Sequence, residues 1–136
     1  MVIKWNDEVE RLIKDVEIHV VNATDLLLRG KIFNLDCGEV YQRSSALALF
    51  HIIYSLEDDL VNFAKNNRGE SFDLIQIVAL SKHLSIIEDS IENHFDDICY
   101  IDIDGEKVLF EIHLAIELLK NFTLKLIRLD NLEKVK

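Results

Sequence analysis

Apolar residues recur at helical spacing almost from one end of the chain to the other, and the chain contains no proline. Average usage would place about 7 prolines in a chain of this length. Because proline inside a helix removes a backbone hydrogen bond and clashes with the preceding turn, its absence permits long helices. The periodicity predicts four helices, which begin near Asn6, Glu39, Ser71 and Phe110. We therefore expect a single all-α domain over residues 1–136, with the up-down arrangement of a four-helix bundle.

The first two predicted helices each carry more apolar surface than one neighbouring helix can bury. The core stripe of the first helix comprises Val9, Leu12, Val16, Ala23 and Leu27. A second stripe on the same helix contains Ile18, Val21 and Leu28. On the second helix, Tyr54 and Val61 lie beside the main apolar face. A helix that is apolar on two sides must contact more than one neighbour, so the excess predicts a homodimer.

The hydrophobic period changes between the third and fourth predicted helices, where residues 99–103 alternate between apolar and polar. Asp104-Gly105 follows, and Asp-Gly between alternating segments is a strong hairpin signal. A two-residue turn there would place Ile101 opposite Val108. The sequence therefore predicts a short β-hairpin between helices three and four, with positive φ at Gly105.

The same segment matches part of the EF-hand calcium-loop pattern. Asp102, Asp104, Gly105 and Glu111 stand at four of its positions. Tyr100 occupies the first position, where the pattern requires an acidic ligand. We therefore expect the hairpin and no bound calcium.

The charge balance opposes nucleic-acid binding. The chain has 25 acidic and 15 basic residues, for a net charge of −10. Phosphate backbones are bound mainly by clustered Lys and Arg, and no run of basic residues occurs. Because no apolar stretch reaches about 18 residues, we expect no membrane span. The acidic start does not resemble a signal peptide, and Cys37 and Cys99 are isolated, so reduced thiols in a cytoplasmic protein are expected.

Motifs for metal, cofactor or nucleophilic chemistry are missing from the sequence. Di-iron bundles need Glu-x-x-His pairs, and none of the five histidines belongs to one. There is no G-x-S-x-G sequence, and the four glycines are too isolated to form a phosphate loop. We expect no metal and no cofactor. His19 falls on the inner stripe of the first helix, which predicts a partly buried histidine hydrogen-bonded to a neighbour.

Glu88, Glu92 and Asp96 follow one line of the predicted third helix at four-residue steps. Like charges at this spacing destabilise a helix by a few tenths of a kcal/mol per pair. Either the line is a solvated face, or it is a docking surface for a basic protein partner.

Two segments together resemble the HEPN superfamily of small helical domains. They are residues 23–31, Ala-Thr-Asp-Leu-Leu-Leu-Arg-Gly-Lys, and residues 41–46, Tyr-Gln-Arg-Ser-Ser-Ala, and the resemblance covers roughly residues 9–65. It implies a four-helix domain that dimerises through its long helices, often alongside a nucleotidyltransferase-like partner. The ribonucleases of that family carry Arg followed, after four to six residues, by His. This chain departs from that motif, since seven residues separate Arg43 from His51.

The leading functional hypothesis is a non-catalytic helical interaction module that forms a homodimer. Its candidate contact residues are Ile32, Phe33 and Leu35, which are apolar in a turn-like region. The alternative is a HEPN-like ribonuclease or a toxin/antitoxin-type component, in which His51 would polarise or protonate and Arg43 would stabilise the scissile phosphate. A third hypothesis, based on charge alone, is an acidic decoy that occupies the basic groove of a nucleic-acid-binding protein.

Overall fold

The computed structural model describes residues 1–30 and 40–135, without the side chains of residues 40–43 and 135. Within this part, the chain forms five helices and one two-stranded sheet. In chain order the elements are β1 (Val2–Lys4), α1 (Asp7–Arg29), α2 (Val40–Asn67), β2 (Ser71–Asp73), α3 (Leu74–Asn93), α4 (Phe95–Tyr100) and α5 (Gly105–Val135). The predicted all-α class is confirmed.

Helix α1 begins where its capping residue predicts. Asn6 has extended backbone angles, and its Oδ1 accepts a hydrogen bond of 2.9 Å from the backbone N–H of Val9. This bond satisfies one of the unpaired donors of the first turn. Asp7, Glu8 and Glu10 place negative charge near the positive end of the helix dipole. The predicted start at Asn6 is therefore confirmed.

The end of α2 and the start of α3 are joined by a short strand that the sequence did not predict. Gly69 has φ +80, the left-handed conformation expected after a helix end. Strand β2 then pairs antiparallel with β1, with Ile3 opposite Phe72. Asp73 caps α3 in a reciprocal capping box with Gln76. The small sheet therefore ties the beginning of the chain to the connection between α2 and α3.

The buried apolar residues of the long helices belong to one hydrophobic core. Helix α1 packs against α2 and α5, and α3 packs against α5. The buried residues of α1 include all five members of its predicted core stripe. At one end of the core, the ring of Trp5 packs against Phe63 and Phe72 at centroid distances of 5.7 and 5.9 Å. The hydrophobic period therefore identified the inward face of α1 correctly.

The predicted β-hairpin is wrong. Residues 95–100 form α4, and α5 begins at Gly105. Asp104 accepts a bond of 3.2 Å at Oδ1 from the backbone N–H of Lys107, so Asp-Gly starts a helix here. The alternation arises because Ile101 and Ile103 both turn into the core, while Asp102 between them has φ +61. The segment does not form a calcium loop either, since Glu111 lies on α5 and its carboxylate contacts His19.

Gly105 is required by close packing and not by its φ, contrary to the prediction. Among the described glycines, positive φ occurs at Gly69 and not at Gly105. A Cβ placed on Gly105 would lie 2.7 Å from Cε2 of Phe95, closer than real Cβ contacts allow. Glycine therefore lets the start of α5 approach α4.

Three predicted helix boundaries also need correction. The third helix was predicted to begin near Ser71, but Ser71–Asp73 form β2 and α3 begins at Leu74. The third helix was expected to continue to about Asp96, but α3 ends at Asn93 and His94 separates it from α4. The fourth was expected to begin near Phe110, but α5 begins at Gly105. Glu88 and Glu92 therefore share one helix, while Asp96 belongs to the next.

Candidate interaction surface

The second apolar stripes of α1 and α2 remain on the surface of the chain. Five of their side chains are between 37% and 54% exposed, namely Ile18, Val21, Leu28, Tyr54 and Val61. Single exposed apolar residues are normal on a protein surface, but a contiguous group marks an interaction site. Whether these five residues form one surface depends on how α1 packs against α2.

Two polar contacts fix how α1 lies against α2. Oγ1 of Thr24 donates to Oε1 of Glu57 at 2.7 Å, and Nη2 of Arg68 lies 2.8 Å from Oε1 of Glu10. Arg68 directly follows the end of α2, so the partners' numbers fall back along the chain from there into α2 as the α1 numbers rise, and the two helices are antiparallel.

The exposed apolar residues flank the first of these contacts on both helices. Val21 and Leu28 lie three residues before and four residues after Thr24. Tyr54 and Val61 lie at the same offsets from Glu57. Residues three and four apart are neighbours on a helix surface. These four residues therefore lie on the same side of the Thr24–Glu57 contact, and together with Ile18 we name them the α1–α2 patch (Ile18, Val21, Leu28, Tyr54 and Val61).

Tyr54 is the largest side chain of the α1–α2 patch. Its ring stacks on Phe50, with a centroid distance of 5.9 Å and an interplanar angle of 25°. Half of the Tyr54 side chain is exposed. Tyrosine offers both apolar area and a hydroxyl, and it is among the residues that dominate protein–protein binding energy.

The far end of the α1–α2 contact is held by a charged cluster. The Arg68 guanidinium makes a forked contact with the Glu10 carboxylate, from Nε at 2.9 Å and from Nη2 at 2.8 Å. Nε1 of Trp5 also donates to this carboxylate at 2.9 Å. These bonds, above all those from Arg68, lower the pKa of Glu10 from its ordinary value, and the same pairing raises the pKa of Arg68.

The interaction residues predicted from the sequence are only partly described. Ile32, Phe33 and Leu35 lie outside the described residues. Glu92 and Asp96 are exposed, each on a different helix. The Glu88 carboxylate lies across from α5, with Oε2 3.4 Å from Nδ1 of His113. A single acidic line along one helix is therefore not formed.

The two residues predicted for the ribonuclease alternative lie on α2. The side chain of Arg43 lies outside the described part, and His51 is exposed with its ring against the edge of Phe50. Cys37 also lies outside the described residues, and Cys99 is an exposed free cysteine.

A polar cluster between α1 and α5 was only half predicted. Nδ1 of His19 lies 2.6 Å from Oε2 of Glu111, and Nδ2 of Asn22 donates to the same oxygen at 3.4 Å. His19 is 25% exposed, so the expectation of a partly buried, hydrogen-bonded histidine is confirmed. Its partner is 92 positions away, and no local signal in the sequence identifies it. The cluster links α1 to α5 and holds the Glu111 carboxylate in place.

Across residues 1–30 and 40–135, no group of three or more His, Cys, Asp and Glu side chains is arranged to hold a metal ion. In the same part of the chain, no helix combines the length and apolar character needed to cross a membrane. No family model, curated protein or solved structure matches the chain.

Proposed function

We propose that the chain is a non-catalytic helical interaction module that forms a homodimer through the α1–α2 patch. In this proposal the four long helices act as an up-down bundle, which is a rigid support for the patch. The observation that carries the proposal is the antiparallel packing of α1 and α2, which aligns two exposed apolar stripes around the Thr24–Glu57 contact.

A second copy fits this patch for reasons of shape and symmetry. The patch extends along two neighbouring helices, so two copies related by a two-fold axis would place the same residues against each other. Helix faces of this kind pack by interdigitating their side chains. Tyr54 would lie within the interface, where an aromatic ring excludes water from its neighbours.

Light scattering coupled to size-exclusion chromatography tests the dimer directly. At tens of micromolar, the wild-type protein should have twice the 15.8 kDa mass of one chain. Because each copy carries a net charge of −10, the measurement needs about 0.15 M salt, where the Debye length is about 8 Å. A wild-type protein that is monomeric under these conditions contradicts the proposal.

Substitutions within and outside the patch locate the interface. Tyr54→Lys should raise the dimer dissociation constant at least about tenfold, since losing a central aromatic contact costs about 2 kcal/mol or more. Val61→Lys should act in the same direction. Ile86→Lys is the matched control, because Ile86 is 61% exposed but lies on α3. Equal weakening by all three variants would place the interface elsewhere.

An assay with labelled single-stranded RNA separates this proposal from the ribonuclease alternative. We expect no cleavage by the purified protein without added metal. Cleavage that disappears in His51→Ala would contradict a non-catalytic role. Cleavage that survives His51→Ala would also contradict it, and would assign the activity to other residues.

A further inference from the structure

A groove of about 350 Å³ lies between α3 and α5, away from the α1–α2 patch. Val78 and Leu124 give it an apolar lining, and Lys82 and Lys120 line its two walls. Ligand sites of small molecules have volumes of this order and combine apolar walls with a few polar groups. The arrangement of the polar groups then determines the ligand.

Two of the three hydroxyl groups that line the groove are engaged by their own helices. Oγ of Ser85 donates to the carbonyl of Ser81 at 3.1 Å, and Oγ1 of Thr123 donates to the carbonyl of Leu119 at 2.9 Å. This bonding one turn back is common for Ser and Thr inside helices. The polar groups that the groove offers to a ligand are therefore the two lysine ammonium groups and the hydroxyl of the buried Ser81.

Neither lysine has a carboxylate partner in the described part of the chain. Among the residues that the structure describes, Lys82 and Lys120 form no ion pair, whereas Lys125 of α5 pairs with Glu8 of α1 and Lys134 pairs with Asp130. Both lysines are exposed and line the same groove, in a chain with 25 acidic and 15 basic residues. An anionic group placed between them would be attracted by both.

The register of α3 and α5 separates the charged end of the groove from its apolar end. His113 of α5 pairs with Glu88 of α3, and the groove residues precede Glu88 and follow His113, so the helices are antiparallel. Lys82 lies six residues before Glu88 on α3, and Lys120 lies seven residues after His113 on α5. Val78 and Leu124 lie one further turn away from the pair.

Beyond Val78 and Leu124, the apolar path continues along both helices. Ile75 is 69% exposed and Ile127 is 41% exposed, and each lies three residues further from the lysines. At 1.5 Å per residue, the seven residues from Lys82 to Ile75 span about 10 Å. The groove therefore has two cations at one end and an apolar path of that length leading away from them.

We propose that this groove binds a free medium-chain carboxylate. The carboxylate lies between the ammonium groups of Lys82 and Lys120, and the alkyl chain follows Val78 and Leu124 toward Ile75 and Ile127. An anionic membrane is disfavoured as the source of the ligand, because a chain with a net charge of −10 is repelled by such a surface. The proposal does not depend on the dimer, whose interface lies on α1 and α2.

Calorimetric titration with hexanoate, octanoate and decanoate, below their micelle concentrations, tests the apolar path. Affinity should rise by up to about fourfold per added methylene, as expected for burial of an alkyl chain. Affinity that does not depend on chain length, or no heat of binding with decanoate, would overturn the proposal. A second titration with phosphatidylglycerol vesicles tests an anionic membrane as the ligand. Binding to vesicles without binding to decanoate would also overturn the proposal.

Charge selectivity tests the two lysines. Decanoate should bind about tenfold or more tightly than decyltrimethylammonium, and the double variant Lys82→Gln/Lys120→Gln should remove that difference. Lys65→Gln is the matched control, since Lys65 is exposed on α2 and has no ion pair in the described ranges. Equal binding of the two ligands to the wild-type protein, or an equal loss in the control, would show that the lysines do not form the site.

A third variant tests the apolar end without removing charge from the lysines. Leu124 is 50% exposed, so Leu124→Glu should leave the helical circular dichroism unchanged while abolishing decanoate binding. The dimer variant Tyr54→Lys should bind decanoate as the wild type does. Retained binding in Leu124→Glu would overturn the proposed path of the alkyl chain.

Discussion

Gly105, the first residue of α5, lies so close to the ring of Phe95 that it leaves no room for a side chain. Replacing it with alanine adds a Cβ 2.7 Å from the ring of Phe95. Overpacking of this kind costs about 1–3 kcal/mol, more than alanine gains over glycine in a helix. We expect Gly105→Ala to lower the free energy of unfolding by about 1 kcal/mol, measured by urea denaturation.

A double-mutant cycle identifies the cause of that loss. In a Phe95→Ala background, Gly105→Ala should become neutral or stabilising, because the ring that it contacts is gone. Gly69→Ala is the contrasting variant. Gly69 has φ +80 and open space around its Cβ position, so its cost comes from the backbone and is independent of Phe95. An unchanged cost of Gly105→Ala in the Phe95→Ala background would contradict the packing explanation.

At the scale of single elements, the sequence predicts the helix ends and buried faces, because these are determined by residues close together in the chain. Asn6 marks the start of α1 and Gly69 follows the end of α2, because capping and left-handed turns require particular side chains. The apolar period likewise locates the buried faces. The exposed second stripes on α1 and α2 were also predictable, since they follow the same period.

Elements that depend on distant partners were not predicted. Strand β1 has three residues, which is too short for an alternating pattern, and it pairs with β2 only because α2 returns the chain to it. In the segment after α3, the alternation of apolar and polar residues had two explanations, either a strand with one buried face or separate residues that each turn into the core. Ile101 and Ile103 are both buried by neighbouring helices, and only the packed structure distinguishes this from one face of a strand. The partner of His19 on α5 is equally non-local.

At the scale of the whole molecule, helices are linked by contacts that cross between them. Glu10 joins α1 to Arg68 beyond the end of α2, and also accepts from Trp5 next to β1. Oε1 of Glu8 lies 2.7 Å from Nζ of Lys125, which joins α1 to α5. Exposed ion pairs contribute little individually. Glu10 differs because its carboxylate accepts four side-chain hydrogen bonds, one from Trp5 and three from Arg68, and only a quarter of its side chain is exposed.

The lowered pKa of Glu10 predicts a defined dependence of stability on pH. Because folding favours its charged form, the Glu10 contribution is complete above the ordinary pKa of 4.5 and is lost as pH falls through the lower folded value. Thermal unfolding of the wild type between pH 6 and pH 3 should therefore show a steeper fall in Tm than that of Glu10→Gln, whose Tm should already be lower at pH 6. Glu133→Gln, at an exposed position on α5 without an ion pair in the described chain, should follow the wild-type curve. Parallel curves for the wild type and Glu10→Gln would show that the Arg68 pairing does not couple protonation to folding.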